Sequence, residues 1–167
     1  NNYSFYKINN SINNNVIIAA TDLKVKNFIN VSSSCMYPKN YLKKMREDKL
    51  FTGIIEETNI GYGLSKMSSS ILCSIIRDEF GYNYTTLIPC NLFGIGDNFD
   101  PYQSHLIPSI IRKSYSYKIG DIKEIDIWGD GKVKREFLYV VNFTIFLKKI
   151  LQRGYIENSF INVGYTE

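Results

Sequence analysis

Glycine is absent from the first 52 residues, and Gly53 is the earliest of only 11 in 167. A dinucleotide-binding turn needs closely spaced glycines between a strand and a helix, so that backbone can approach a pyrophosphate. The later pairs Gly94/Gly96 and Gly129/Gly131 lack the further glycine and the strand-to-helix setting. Any such turn is therefore expected upstream of Asn1, and the chain is expected to be a fragment. Histidine occurs once, at His105, and cysteine three times, at Cys35, Cys73 and Cys90. That set is too sparse and irregular for a zinc site or a disulfide framework, and it fits a reducing, cytoplasmic setting. No apolar run approaches the roughly 18 residues of a membrane helix, and no signal-peptide pattern opens the Asn-rich start. Basic residues exceed acidic ones, 20 to 16, but they are scattered apart from Lys43-Lys44 and Lys148-Lys149. A net charge of +4 in that form argues against nucleic acid and for a small anionic ligand.

What is present is ordinary for a folded domain: 44% apolar and 22% charged residues, in a chain long enough for a real core. Ile12, Val16, Ile17 and Ala20 share one face and predict a helix over Ile12 to Ala20. Lys26 to Ser33 reads as a buried strand, broken by Tyr37-Pro38, and Lys39 to Thr58 as a charged, mobile loop with a short helix. Leu64, Met67, Ile71, Leu72, Ile75 and Ile76 predict a long helix from Tyr62 to Phe80, ended by Gly81. Thr85 to Leu92 is the next strand. Helix, strand, helix, strand with short connections predicts an α/β fold on a parallel sheet, with ligands beyond the carboxyl ends of its strands. Further on, a helix is expected near Leu106 to Tyr115, strands at Ile125 to Trp128, Phe137 to Val140 and Phe160 to Val163, and a helix over Phe143 to Gln152 capped by Asn142.

Tyr62 and Lys66, in Gly61-Tyr62-Gly63-Leu64-Ser65-Lys66, stand four apart and so share a helix face. An ammonium beside a phenol lowers the phenol's pKa from its usual value near 10, typically by about 1 to 3 units. Ser33 ends the preceding strand, on the side where a ligand is expected. The spacing alone is weak, because chance gives about one such Tyr-to-Lys pair and Tyr3/Lys7 is a second example.

Three longer stretches supply the context. They are Ser33-Ser34-Cys35-Met36-Tyr37-Pro38-Lys39; Asn91-Leu92-Phe93-Gly94 running through Asp97-Asn98-Phe99 to Ser104-His105-Leu106-Ile107-Pro108; and Trp128-Gly129-Asp130-Gly131 leading to Arg135-Glu136-Phe137-Leu138. With Ser33, Tyr62 and Lys66, they make the chain resemble the extended short-chain dehydrogenase/reductase family, in the branch that epimerises and reduces GDP-4-keto-6-deoxy-mannose. The resemblance runs from about Asn10. It implies a Rossmann-like parallel sheet truncated at its N-terminus. Residues 1–93 would form the C-terminal part of the NADP-binding unit, and residues 94–167 most of a GDP-sugar-binding part.

The roles implied by the resemblance follow position by position. Ser33 would hydrogen-bond the 4-keto oxygen, Tyr62 would donate its proton to it as hydride arrives, and Lys66 would hold the NADPH ribose and tune Tyr62. Cys35 and His105 would be the base and acid that invert carbons 3 and 5, with Cys35 projecting beside Ser33 if strand geometry persists. Pro89, Asn91, Leu92 and His105 would pass the nicotinamide. Arg135 would pair with the GDP diphosphate, Arg112 and Lys113 would face phosphates or solvent, Ser34 would touch the substrate, and Trp128 would pack on the nucleotide or fill core. A homodimer, made by the Ile12–Ala20 and Leu64–Phe80 helices, is also implied. Two departures stand out: Val141-Asn142 where members usually turn acidic, and Cys90, read as packing, where a small hydroxyl residue is common. Alternatives stay open, namely another nucleotide-sugar epimerase or dehydratase of the family, or a non-catalytic protein that keeps the fold. Dehydratases usually carry Thr-Asp-Glu where this chain has Ser33-Ser34-Cys35. Without the missing segments the chain itself is expected to be inactive.

Overall fold

The structure is a computed structural model and describes residues 1–41 and 44–165. Helix α1 (Asn2–Asp22) starts where the Asn1 side chain accepts a hydrogen bond from the Ser4 amide at 2.9 Å. It is longer at both ends than its apolar periodicity predicts, because it lies along α2 (Ile60–Phe80) and tertiary packing sustains its Asn-rich first turns. Between them runs β1 (Asn27–Val31). Helix α2 ends at Gly81, whose φ of 65° closes the helix with its N–H on the Arg77 carbonyl. Strand β2 (Asn83–Pro89) follows.

The expected strand from Thr85 to Leu92 is two strands in two sheets. β2 stops at Pro89, and β3 (Asn91–Phe93) pairs instead with β4 (Phe137–Tyr139) in parallel. The main sheet has the order β1-β2-β5, all parallel, with β5 (Phe160–Val163) on the far side of β2. The register runs Asn27↔Asn83 to Val31↔Leu87 on one side and Thr86↔Phe160 to Pro89↔Val163 on the other. β2 is buried almost throughout, as a central parallel strand must be. Tyr84 packs under Ile17 of α1 and Cys73 and Ile76 of α2. Leu87 meets Phe143 of α4 (Val140–Arg153) and Val163. Helices thus cover both faces of the sheet, a Rossmann-like arrangement. α4 and β5, from beyond residue 93, complete the sheet that β1 and β2 begin, so the segments before and after residue 93 interlock.

Between α2 and the sheet lies a polar layer. Ser65, Ser69 and Ser70 have no exposure, and Asn30 Nδ2 lies 3.3 Å from Ser70 Oγ and 3.2 Å from Thr86 Oγ1. The Ser69 and Ser70 hydroxyls also donate to the Lys66 carbonyl, at 3.0 and 2.7 Å.

Other expectations are corrected. The segment from Lys39 to Thr58 is packed where described: Leu50 and Ile55 are only 6% and 4% exposed, short 3-10 turns form at Glu47–Lys49 and Glu57–Asn59, and the Lys39 amide donates to the Ile54 carbonyl. Lys43, of the Lys43-Lys44 pair, lies outside the described residues. Ile125 to Trp128 is not a strand, because no described strand pairs with it. Helix α4 starts at Val140, so Asn142 lies inside its first turn and is not its cap. Helix α3 (Leu106–Lys118) is found where expected, one turn longer. Among the described residues no helix is long and apolar enough to cross a membrane.

Candidate active site

A cleft of about 1000 Å³ opens beyond the carboxyl ends of β1 and β2. Its size suits a nucleotide-sized ligand. Ser33, Ser34, Cys35, Tyr62, Lys66 and His105 all line it, as do Pro89, Asn91, Leu92 and Arg135. Lys113 and Trp128 do not: they sit together, with the Lys113 Nζ 5.5 Å from the Trp128 ring and donating to the Asp126 carbonyl at 2.8 Å. Trp128 is 91% exposed, so it does not fill core. Arg112 is not among the lining residues either.

The route by which Cys35 reaches the cleft differs from strand alternation. β1 has ended at Val31, and Ser34–Met36 forms a 3-10 turn anchored by fully buried Met36. Ser33 caps that turn, its hydroxyl accepting from the Cys35 amide at 3.3 Å. That bond uses a lone pair of the hydroxyl and leaves the Ser33 proton to be donated elsewhere. Two glycines frame Tyr62 and permit close approach. A Cβ on Gly61 would strike the Asn2 carbonyl of α1, and one on Gly63 would come within 3.2 Å of the Cys35 carbonyl and 2.7 Å of the Ile55 Cδ1.

The electrostatics correct the expected tuning of Tyr62. Burial, reinforced by Cys35 and only partly opposed by the Ser33 hydroxyl, raises its pKa above the ordinary 10.0. The Lys66 Nζ lies 5.7 Å from the Tyr62 ring and donates to the Val31 carbonyl at 2.9 Å, while burial lowers its own pKa. The consequence is a phenol that stays protonated at neutral pH, as a proton donor must be. His105 occupies the N-cap position of α3 without a side-chain cap bond, so its imidazole is not engaged in capping. Cys90 packs with the α4 cluster, and burial pushes its thiol up to about 11.

Sequence reasoning missed Asn59, Thr58, Phe137 and the start of α1, all on the cleft wall. Asn59 carries one legible signal, an Asn three residues before Tyr62 where a helix begins. Its side chain donates through Nδ2 to Cys35 Sγ at 3.4 Å.

The sequence profile described as the NAD dependent epimerase/dehydratase family matches residues 1–164. A GDP-L-colitose synthase of Yersinia pseudotuberculosis is 40% identical over 151 residues, 90% of this chain and 49% of that protein. A GDP-L-fucose synthase of Azorhizobium caulinodans is 40% identical over 150 residues, again 90% of this chain and 48% of the relative. Among solved structures, a GDP-L-fucose synthetase from Naegleria fowleri bound to NADP superposes with a TM-score of 0.85 at 26% identity, over all of this chain and 54% of that one. The chain spans about half the length of the curated relatives it matches.

Proposed function

Because the chain belongs to the NAD dependent epimerase/dehydratase family, we propose that the full-length protein uses NADPH to epimerise and reduce a GDP-linked 4-keto-6-deoxy sugar, giving GDP-L-fucose. One observation carries this reading: hydroxyl, thiol, phenol, amine and imidazole, from Ser33, Cys35, Tyr62, Lys66 and His105, share one cleft at the strand ends. The residues fit the nicotinamide end of the cofactor. Lys66 spends one donor on Val31 and keeps others for a ribose, and the Pro89–Leu92 backbone walls the cleft beside it. When bound, the dihydronicotinamide supplies the hydride that reduces the 4-keto carbon.

The chain's own residues do the rest. Cys35 removes a proton from carbon 3 or 5: the C–H bond breaks, an S–H bond forms, and the electron pair moves onto the 4-keto oxygen. Ser33 and Tyr62 donate hydrogen bonds to that oxygen and stabilise the enolate. His105 returns a proton to the carbon, inverting it. In the reductive step Tyr62 gives its proton to the oxygen, and its raised pKa keeps that proton in place until then. Arg135, on the cleft wall, pairs with the diphosphate. Ser34 touches the sugar, while Lys113 and Trp128 form an outer contact for the nucleotide. The exposed apolar side chains of α1 and α2, among them Ile12, Val16, Ile71 and Ile75, support a homodimer, and the three free cysteines support a cytoplasmic setting.

A second product reading, GDP-L-colitose, rests on the equal 40% identity to the Yersinia enzyme. The experiment is turnover of GDP-4-keto-6-deoxy-mannose by full-length protein with NADPH in deuterated water, followed by mass spectrometry. Deuterium at two carbons with NADPH oxidation is expected, and Cys35→Ser should abolish the uptake while NADPH still binds. Oxidation of NADPH without any uptake refutes the epimerase half, and uptake without oxidation refutes the reductase half.

A further inference from the structure

Asn59 stands where α2 expects its cap, yet its side chain makes no cap hydrogen bond. Asn is among the preferred N-cap residues because its side-chain oxygen accepts from the first free amides of a helix. Here Nδ2 is turned onto Cys35 Sγ at 3.4 Å, and Oδ1 is buried with no partner. A polar side chain that forgoes its local bond and leaves an oxygen unpaired breaks two rules at once, which folded proteins do mainly at functional positions. Among the described residues it is the only hydrogen-bond donor to this sulfur. The other titratable groups on the cleft wall are Tyr62 and Lys66 of α2, Cys90 after β2, His105 before α3 and Arg135 before β4.

We propose that Asn59 is a positioning residue for Cys35: its amide N–H holds the sulfur in the cleft and favours the thiolate over the thiol. This rests on the reading of Cys35 as the carbon base. A donor stabilises the charged form of its acceptor, and a thiolate is both the base and the reactive nucleophile. Replacing the donor therefore has a chemical signature apart from turnover.

The experiment follows iodoacetamide alkylation of Cys35 against pH by peptide mass spectrometry, in full-length protein without cofactor, for the parent, Asn59→Ala and Asn59→Asp. Fully packed Cys73 serves as the internal report of folding. Asn59→Ala should move the alkylation midpoint to higher pH and slow the reaction near pH 7 by about fivefold, a modest share of what a charged hydrogen bond is worth. Asn59→Asp, of nearly equal volume and so the variant that keeps the test alive if the alanine protein unfolds, should slow it further, since a carboxylate repels a thiolate. Superimposable alkylation profiles with Cys73 still protected overturn the proposal. Deuterium uptake persisting in Cys35→Ser overturns the reading beneath it, and the alkylation profiles then still decide whether Asn59 governs the sulfur.

Discussion

Tyr37→Phe provides a test of how the segment behind the cleft is held. The Tyr37 hydroxyl donates to Asn162 Oδ1 at 2.9 Å, tying the chain two residues beyond Cys35 to β5, and the side chain is 4% exposed. At pH 8 removing that bond should lower stability by about 1 kcal/mol. Burial, however, pushes the Tyr37 phenol from 10.0 up to about 12. Below pH 10 the phenol is neutral in both states, so the raised pKa changes nothing there. Between pH 10 and 12 the unfolded phenol ionises while the folded one is kept neutral, and stability is lost as pH rises. At about 1.4 kcal/mol per unit, the parent loses roughly 1.4 kcal/mol by pH 11 and up to about 2.7 kcal/mol beyond pH 12. The variant has no phenol to ionise. Its deficit should close near pH 11 and reverse above it. Urea unfolding followed by circular dichroism from pH 8 to 11.5, with the two proteins compared at each pH, cancels all other alkaline titrations. A difference that stays constant across that range refutes the reasoning.

Tyr62→Phe should slow NADPH oxidation by on the order of 10³-fold, the usual scale of a general acid, while a mixture with ketosugar in deuterated water still takes up label; unchanged oxidation removes Tyr62 from the reductive step. Leu87→Ala, at a fully buried position beneath α4, should cost about 2 to 5 kcal/mol in urea unfolding, and a loss under 1 kcal/mol would mean that α4 does not pack over that side chain.

Much of this was legible because periodicity reports which face is buried. The stripe from Leu64 to Ile76 and the run Phe160 to Val163 gave α2 and β5 nearly to the residue. The failures share a cause: an apolar run does not say whether a partner will be there. Ile125 to Trp128 carries strand-like residues, yet without a neighbouring ladder Ile127 and Trp128 remain 80% and 91% exposed. At Pro89 the sheet changes, and pairing across 45 or more residues, such as Asn91 with Phe137, is not written locally. In the cleft, the company of Ser33, Cys35 and Tyr62 was foreseeable, but not the turn that delivers the thiol nor the burial that raises the pKa of the phenol. Asn59 was invisible for a similar reason, since the choice between a helix amide and a sulfur depends on a segment 24 residues away.

The hydroxyl layer beneath α2 has a consequence for anyone redesigning this scaffold. Oily contacts tolerate a helix that rolls or slides by a fraction of a turn, whereas Asn30, Ser69, Ser70 and Thr86 interlock only at one azimuth. Lys66 and Tyr62 ride on the same helix one and two turns earlier. Substituting aliphatic side chains into that layer should yield a sturdier protein whose phenol and amine have lost their aim, so thermal tolerance and turnover would part company.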